Sequence, residues 1–186
     1  MRKLILIKHA APEVVPGVPS EKWELSARGR AQCEPLSERL VAYAPQRIVS
    51  STEPKAVQTA QIVAERLNVP HETGNDLFEH DRSNVPHMRS GEFISHVELF
   101  FREPDELVLG LETANEAEAR FRAAIDDVLA RHASGDVAIV SHGTVIALFL
   151  AREPRERFRL WRQLGLPSFA VVEVPGYKLL ETFDRV

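Results

Sequence analysis

The stretch Leu4-Ile-Leu-Ile-Lys8-His9 is a short apolar run that ends in two basic side chains. Such a run is typical of a strand buried on both faces of a parallel sheet. A second run, Asp136-Val-Ala-Ile-Val140, ends in the same manner in Ser141-His142-Gly143. Ligands of parallel sheets bind beyond the carboxyl ends of the strands. We therefore expect His9 and His142 to meet in one crevice.

The segments around these two strands alternate between helical and extended patterns. Ser26 can cap a helix that reaches about Tyr43, Arg47–Ser50 is a strand pattern, and Pro54 suits the start of a helix. The remaining predicted elements are a short strand at 71–73, an amphipathic segment at 93–101, helices at 113–132, 143–151 and 154–164, and a hairpin of 169–174 with 177–183. This order predicts an α/β fold, a three-layer α/β/α sandwich with a mostly parallel central sheet and a C-terminal antiparallel hairpin. We expect a single domain over 1–186, with an insertion or lid at about 74–111.

Length, composition and charge narrow the class of protein. The 186 residues fit one domain, and 44% of them are hydrophobic, which is enough for a packed core. Lys and Arg total 23 against 27 Asp and Glu, so the net charge of −4 provides no global field for nucleic acid or an anionic membrane. The N-terminal apolar run is too short for a signal peptide, and no segment is apolar for long enough to span a membrane. We expect a cytoplasmic protein without either partner, and the sequence carries no signal for an oligomeric state.

The predicted strand ends bring together residue types that suit phosphate chemistry. Lys8 and His9 follow the first strand, Ser50-Ser51 ends the second with Lys55 one helical turn further on, and His142 follows the later strand. Helices that begin after Ser51 and after His142 would add N–H donors and a dipole that favours an anion. Two lysines and two histidines in this setting predict a phosphate site, where a histidine can act as a nucleophile.

The same residues carry a resemblance to a known family. Leu6-Ile-Lys-His-Ala10 is similar to the L-x-R-H-G signature of the histidine phosphatase (phosphoglycerate mutase-like) superfamily. Further segments follow in the family's order, namely Leu25-Ser-Ala-Arg-Gly-Arg-Ala-Gln32, Ser50-Ser-Thr-Glu-Pro-Lys-Ala-Val-Gln-Thr-Ala60, Asp76-Leu-Phe-Glu79 and Val140-Ser-His-Gly143. Each segment is weak alone, but five in this order make the resemblance specific. They span nearly the whole chain and resemble the phosphatase branch.

The resemblance implies a role for each matching residue. His9 would attack phosphorus and form a phosphohistidine, and His142 would stabilise the charge on the equatorial oxygens. Glu79 would protonate the leaving oxygen and then deprotonate the hydrolytic water. Lys8 and Lys55 would clamp the phosphoryl oxygens. The implied activity is metal-independent hydrolysis of a small phosphorylated substrate, with no cofactor, since phosphoryl transfer needs mainly positioning and cations around the phosphate.

The chain departs from the family pattern at the clamp. The family has arginine where Lys8 and Lys55 stand, and glycine at Ala10. Lysine keeps the charge but loses the planar fork that binds two oxygens at once. Losing one charge-assisted hydrogen bond per site would cost about 1.5–3 kcal/mol, or roughly ten- to a hundredfold in rate. Arg82, which lies three residues after Glu79, or Arg89 could enter the pocket as a phosphate-binding residue and restore a fork.

Two other functions stay open on the sequence alone. A phosphate-binding pseudoenzyme or regulatory protein would explain the loss of both arginines. A phosphoglycerate mutase is the second alternative, although the mutase branch is longer and has asparagine where Val15 stands. The proton donor is also open, because Glu72, Asp76 or Asp81 could replace Glu79. The substrate would be selected by the segment at 74–111, whose sequence does not name it.

Overall fold

The computed structural model describes residues 1–86 and 88–184. The strands are β1 (Arg2–Lys8), β2 (Arg47–Ser50), β3 (His71–Thr73), β4 (Val137–Ser141), β5 (Ser168–Val174) and β6 (Leu179–Phe183). The helices are α1 (Ala27–Leu40), α2 (Pro54–Leu67), α3 (Ser90–Arg102), α4 (Ala114–Arg131), α5 (Gly143–Leu150) and α6 (Pro154–Gln163), with short 3-10 turns at Ser20–Lys22 and Val41–Tyr43. None of the helices in these ranges is both long and apolar enough to cross a membrane.

All six strands form one sheet in the order β3-β2-β4-β1-β5-β6. The first four run parallel, β5 is antiparallel to β1, and β6 is antiparallel to β5. The predicted α/β class, with a mostly parallel sheet and a C-terminal antiparallel hairpin, is confirmed. Lys8 pairs with Ser141 across β1 and β4, and Ser50 pairs with Val140 across β2 and β4. The register therefore places the residues that follow these strands side by side.

Helices cover both faces of the sheet and bury alternate residues of β1. Leu4 and Leu6 face one layer, where they pack in a cluster with Phe121 of α4. Ile5 and Ile7 face the other layer, in a cluster that includes Leu36 of α1 and the apolar side of α2. This alternation explains why the N-terminal apolar run is continuous, because each face of the central strand needs its own apolar partner.

The segment predicted as an insertion contains a long loop and α3. Residue 87 of the predicted 74–111 range lies outside the described residues. Phe100 and Phe101 of α3 are fully buried in a third apolar cluster with Ala147 and Leu148 of α5. The Ser141 hydroxyl donates to the Leu77 carbonyl at 2.8 Å, which holds the loop before α3 at the carboxyl end of β4, and residues 78–83 of this loop line the candidate site.

The start of α1 explains one of the sequence motifs. The Ser26 hydroxyl accepts a hydrogen bond from the Gly29 N–H, at 3.0 Å, and donates one to the Ala11 carbonyl, at 2.9 Å. A Cβ atom on Gly29 would lie 2.0 Å from that same carbonyl oxygen. Glycine is therefore required because α1 passes directly against the loop that follows β1.

Candidate active site

His9 directly follows β1, at the carboxyl end of an interior strand of the sheet. Its backbone N–H donates to the Ser141 carbonyl, and its Nδ1 lies 2.8 Å from the Ala10 carbonyl oxygen. Since a carbonyl oxygen only accepts, this contact assigns the proton to Nδ1 and leaves a lone pair on Nε2. Burial, with the nearby His142 and Lys55, holds the pKa of His9 well below its usual value. The ring is therefore neutral at neutral pH, as a nucleophile requires.

His142 lies beside His9, after the neighbouring strand β4. The two ring centroids are 5.1 Å apart, with an angle of 62° between the ring planes. The Nε2 atom of His142 lies 3.0 Å from the Ser51 hydroxyl oxygen and 3.3 Å from Oε1 of Glu53. Burial lowers the pKa of this imidazole to about 3, even though the Glu79 carboxylate favours its charged form. His142 is thus a neutral, fully buried group, with Nε2 suited to donate to an anion.

The two lysines of the predicted clamp already have partners. Lys8 donates from Nζ to the Leu164 carbonyl at 2.7 Å, and burial lowers its pKa. Lys55 donates to the Ser20 carbonyl and to Oε2 of Glu53, both at 2.6 Å. An incoming phosphate would therefore compete with existing contacts for both ammonium groups.

Glu53 is a site residue that the sequence analysis missed. Its carboxylate contacts Lys55 and His142, and its Oε1 also accepts the backbone N–H of Glu79 at 2.8 Å. The residue is only 8% exposed. A signal was present in the sequence. Glu53 stands between the Ser50-Ser51 strand end and Lys55, and it immediately precedes the proline that begins α2.

Glu79, the predicted proton donor, lies at the N-terminus of α5. Its carboxylate accepts the backbone N–H groups of Thr144 and Val145 at 3.2 and 3.3 Å, and Arg82 is 3.5 Å away. Burial alone would raise its pKa, but Arg82, His142 and the backbone donors outweigh burial and hold the pKa at about 2. The helix terminus predicted to bind phosphate therefore holds a carboxylate in this structure.

Arg120 of α4 fixes the loop that carries Glu79. One guanidinium nitrogen donates to the carbonyls of Asp76 and Phe78, at 2.8 and 3.0 Å, and another pairs with Glu112 at 2.5 Å. The guanidinium also covers the Phe78 ring, 3.6 Å from its centroid. Sequence reasoning did not single out Arg120, because these contacts join residues about forty positions apart.

A cavity of about 330 Å³ opens above Glu53 and Glu79. Its lining comprises Ser20, Glu21, Thr52, Glu53, Pro54, Phe78, Glu79, His80, Asp81, Arg82 and Ser83. Neither His9 nor His142 belongs to this lining, and the two residues are 7% and 0% exposed. The carboxylate of Glu53 therefore lies between the open cavity and the imidazole of His142.

The structure places the predicted site residues close together. Their chemical roles stay predictions. Arg82 lines the cavity beside Glu79, and its guanidinium lies 5.0 Å from the centroid of the Phe93 ring. Of the alternative acids, Asp81 lines the cavity and accepts from Ser83, whereas Glu72 pairs elsewhere with Arg131 and His132. Within residues 1–86 and 88–184, no group of three or more His, Cys, Asp and Glu side chains is arranged to hold a metal ion.

The chain is similar to known proteins in both sequence and structure. The model of the histidine phosphatase superfamily (branch 1) matches residues 4–179. Similar solved structures include a mycobacterial glucosyl-3-phosphoglycerate phosphatase complexed with VO3 (21% identity, all of both chains, TM-score 0.76) and YhfR of Bacillus stearothermophilus (23%, 97% of this chain and 95% of that chain, 0.75). A mutant phosphoserine phosphatase of Entamoeba histolytica in complex with phosphoserine is 19% identical over 98% of this chain and 97% of its own, with a TM-score of 0.76. No curated protein sequence matches the chain. At these identities the structural likenesses show a shared fold.

Proposed function

The chain belongs to the histidine phosphatase superfamily, and on that premise we propose that it is a metal-independent phosphomonoester hydrolase that works through a phosphohistidine on His9. The observation that carries the proposal is the contact between His9 Nδ1 and the Ala10 carbonyl. It leaves the Nε2 lone pair free, on a neutral ring 5.1 Å from that of His142.

The reaction divides into two transfers of the phosphoryl group. In the first, the Nε2 lone pair of His9 forms a bond to phosphorus, and the bond from phosphorus to the ester oxygen breaks with its electron pair. The leaving oxygen takes a proton from Glu79. In the second, a water molecule gives that carboxylate a proton and attacks phosphorus, which breaks the P–N bond and releases inorganic phosphate. In both transfers the negative charge is spread over the three equatorial phosphoryl oxygens, which His142 and the lysines would stabilise.

Glu79 must gain a proton before it can give one away. Its pKa of about 2 in the empty site means that it is ionised at neutral pH. A phosphate dianion bound nearby disfavours a second negative charge and so raises the proton affinity of the carboxyl group. Binding of the substrate would thus convert Glu79 from a charge partner of Arg82 into an acid. Aryl phosphates need little of this help, because their leaving groups are stable as anions.

The test is release of inorganic phosphate from an aryl phosphate in the presence of EDTA. We expect turnover by the wild type, none by His9→Ala, and normal turnover by His96→Ala, which removes a half-buried histidine from α3, outside the candidate site. Mass spectrometry after rapid quenching at alkaline pH should find one phosphoryl group on the peptide that contains His9. Full activity of His9→Ala, or loss of activity with EDTA that added metal restores, would contradict the proposal.

A second candidate is a phosphate-binding pseudoenzyme. It is favoured by the commitment of Lys8 and Lys55 to carbonyl oxygens and of Lys55 to Glu53. Such a protein would bind inorganic phosphate, with an affinity measurable by calorimetry, yet release none from an aryl phosphate. The same two measurements therefore separate the two candidates.

A further inference from the structure

We propose that Glu53 makes the site selective for phosphomonoesters whose alcohol portion carries a positively charged amine. This inference rests on the proposed function, because it assumes that the phosphate is bound beside His9 and His142. It adds the class of substrate, which the proposed function leaves open.

Three groups of the site contact the Glu53 carboxylate. The carboxylate accepts hydrogen bonds from the Lys55 ammonium at 2.6 Å and from the backbone N–H of Glu79 at 2.8 Å. It also lies 3.3 Å from Nε2 of His142. A cationic donor, an imidazole and a backbone amide are also what a phosphoryl group needs. The Glu53 carboxylate thus occupies an anion position in the site.

Binding of a phosphate would change the contacts of Glu53. A phosphate that takes the donors of Lys55 and His142 leaves the Glu53 carboxylate beside it with fewer partners. Like charges at such short range repel strongly in a site shielded from water. Glu53 is 8% exposed, so water screens this repulsion poorly. A cation close to the phosphate would remove the conflict.

The alcohol portion of the substrate would lie in the cavity that Glu53 lines. Its lining holds the carboxyl groups of Glu21, Glu53, Glu79 and Asp81 against a single cationic side chain, Arg82. Arg82 already pairs with Glu79. When Lys55 turns to the phosphate, Glu53 becomes the carboxylate that needs a new partner, and it faces this cavity. An ammonium group two or three bonds from the ester oxygen would reach it.

The size of the cavity is consistent with a small substrate. About 330 Å³ is at the lower end of the range for small-molecule sites. Phe78 and Pro54 provide apolar wall on which a short alkyl chain can pack. A phosphorylated amino alcohol satisfies the volume, the apolar wall and the charge together.

The experiment compares two substrates that differ in charge but hardly in shape, phosphoethanolamine and propyl phosphate. For the wild type we expect kcat/KM to favour phosphoethanolamine by about tenfold, since one charge contact is worth about that factor. In Glu53→Gln the preference should fall to near unity, through a gain on propyl phosphate as well as a loss on phosphoethanolamine. Glu24→Gln removes an exposed carboxylate outside the cavity and should keep the wild-type preference.

Binding of inorganic phosphate gives a second measurement that requires no turnover. Glu53→Gln removes the competing carboxylate and should tighten the calorimetric Kd of phosphate by about tenfold, in protein whose thermal melting shows that it is folded. If this variant does not fold, the preference of the wild type for phosphoethanolamine over propyl phosphate still tests the inference by itself.

The outcomes separate this inference from the function on which it rests. Turnover of an aryl phosphate that depends on His9, with equal kcat/KM for the two alkyl substrates, would overturn the inference and leave the phosphatase intact. Equal gains on both substrates in Glu53→Gln would also overturn it, since Glu53 would then be a competitor without selectivity. No turnover of any ester would remove the proposed function, and the substrate class would fall with it.

Discussion

The Glu79 carboxylate accepts a hydrogen bond from the backbone N–H of Thr144, with 3.2 Å between Oε2 and the nitrogen. Thr144 lies in the first turn of α5, where unpaired N–H groups and the helix dipole favour negative charge. The proposed acid, Glu79, is thus held by the helix terminus that follows His142. Arg82 and His142, together with these backbone donors, hold the pKa of Glu79 at about 2 in spite of its burial.

Replacing Lys55 by arginine should restore the fork that the family uses. We expect Lys55→Arg to raise kcat/KM for an aryl phosphate by about tenfold, because a guanidinium can bind two phosphoryl oxygens at once. Steady-state kinetics would measure the change, with Lys22→Arg as a control at an exposed lysine in the neighbouring turn. An unchanged or lower kcat/KM in folded protein would show that the clamp does not limit the reaction.

Removing the guanidinium of Arg120 should loosen the loop that carries Glu79. We expect Arg120→Met to lower the free energy of unfolding by about 3 kcal/mol, because it leaves the Glu112 carboxylate and two backbone carbonyls without their donor. Urea denaturation measures this loss, and kcat should fall with it. Arg120→Lys keeps the charge, so a full recovery of kcat in that variant would show that the fork geometry is unimportant.

The stability of the protein should fall in mild acid because of His142. Its pKa is about 3 when folded, against 6.5 for the free side chain, so the unfolded chain binds the extra proton first as the pH falls. Below pH 6.5 this proton destabilises the fold by about 1.4 kcal/mol for each pH unit. The depressed pKa of His9 acts in the same direction. Above pH 6.5 neither histidine contributes to the slope.

The check is the urea midpoint of the wild type and of His142→Gln at pH 7.5 and pH 5. Glutamine does not titrate, so the variant should lose less stability between the two pH values than the wild type does. Equal losses would mean that the pKa of His142 in the folded protein lies close to its ordinary value of 6.5. The pKa of Glu79 is about 2 in the folded protein, below its ordinary value, so its ionised carboxylate stabilises the fold. This stabilisation begins to be lost only when the pH falls below about 4.5.

A methyl group on Gly29 should separate α1 from the loop after β1. The Cβ atom of Gly29→Ala would lie 2.0 Å from the Ala11 carbonyl oxygen, so backbone must move. We expect a loss of about 2–3 kcal/mol in the free energy of unfolding. Gly91→Ala is the matched control, because a Cβ atom at that position of α3 meets nothing within 4 Å. It should be neutral or stabilise α3 by up to about 1 kcal/mol. Equal midpoints for the two variants in urea would contradict the steric explanation.

Much of the fold could be predicted because its elements leave local patterns. The capping box at Thr113 and Glu116 begins α4, the Ser26 cap begins α1, and both are present in the structure. The mostly parallel sheet with its C-terminal antiparallel hairpin could be predicted from strand–helix alternation, whereas the order of the strands was not predicted. Lys8 and His9 could be placed for the same reason, since they simply continue a buried strand.

The partners of the charged groups could not be predicted in this way. The contact of Lys8 with Leu164 joins residues 156 positions apart, and that of Glu53 with His142 joins the start of α2 to the end of β4. Such contacts depend on side-chain direction in the folded protein and leave no spacing in the sequence. The sequence therefore indicated which residues gather, but not that the Glu53 carboxylate would be among them.

The position of β1 in the sheet has a consequence for how the protein comes into being. This strand is the first to be synthesised, yet both its neighbours, β4 and β5, lie beyond residue 136. A chain still growing on the ribosome holds β1 without a partner along either edge until β4 has been made. Closing such long loops is slow in folding. The apolar run that begins at Leu4 is therefore the segment that most needs shelter in the nascent chain, and the pair of histidines can form only after the last parallel strand has been inserted between β1 and β2.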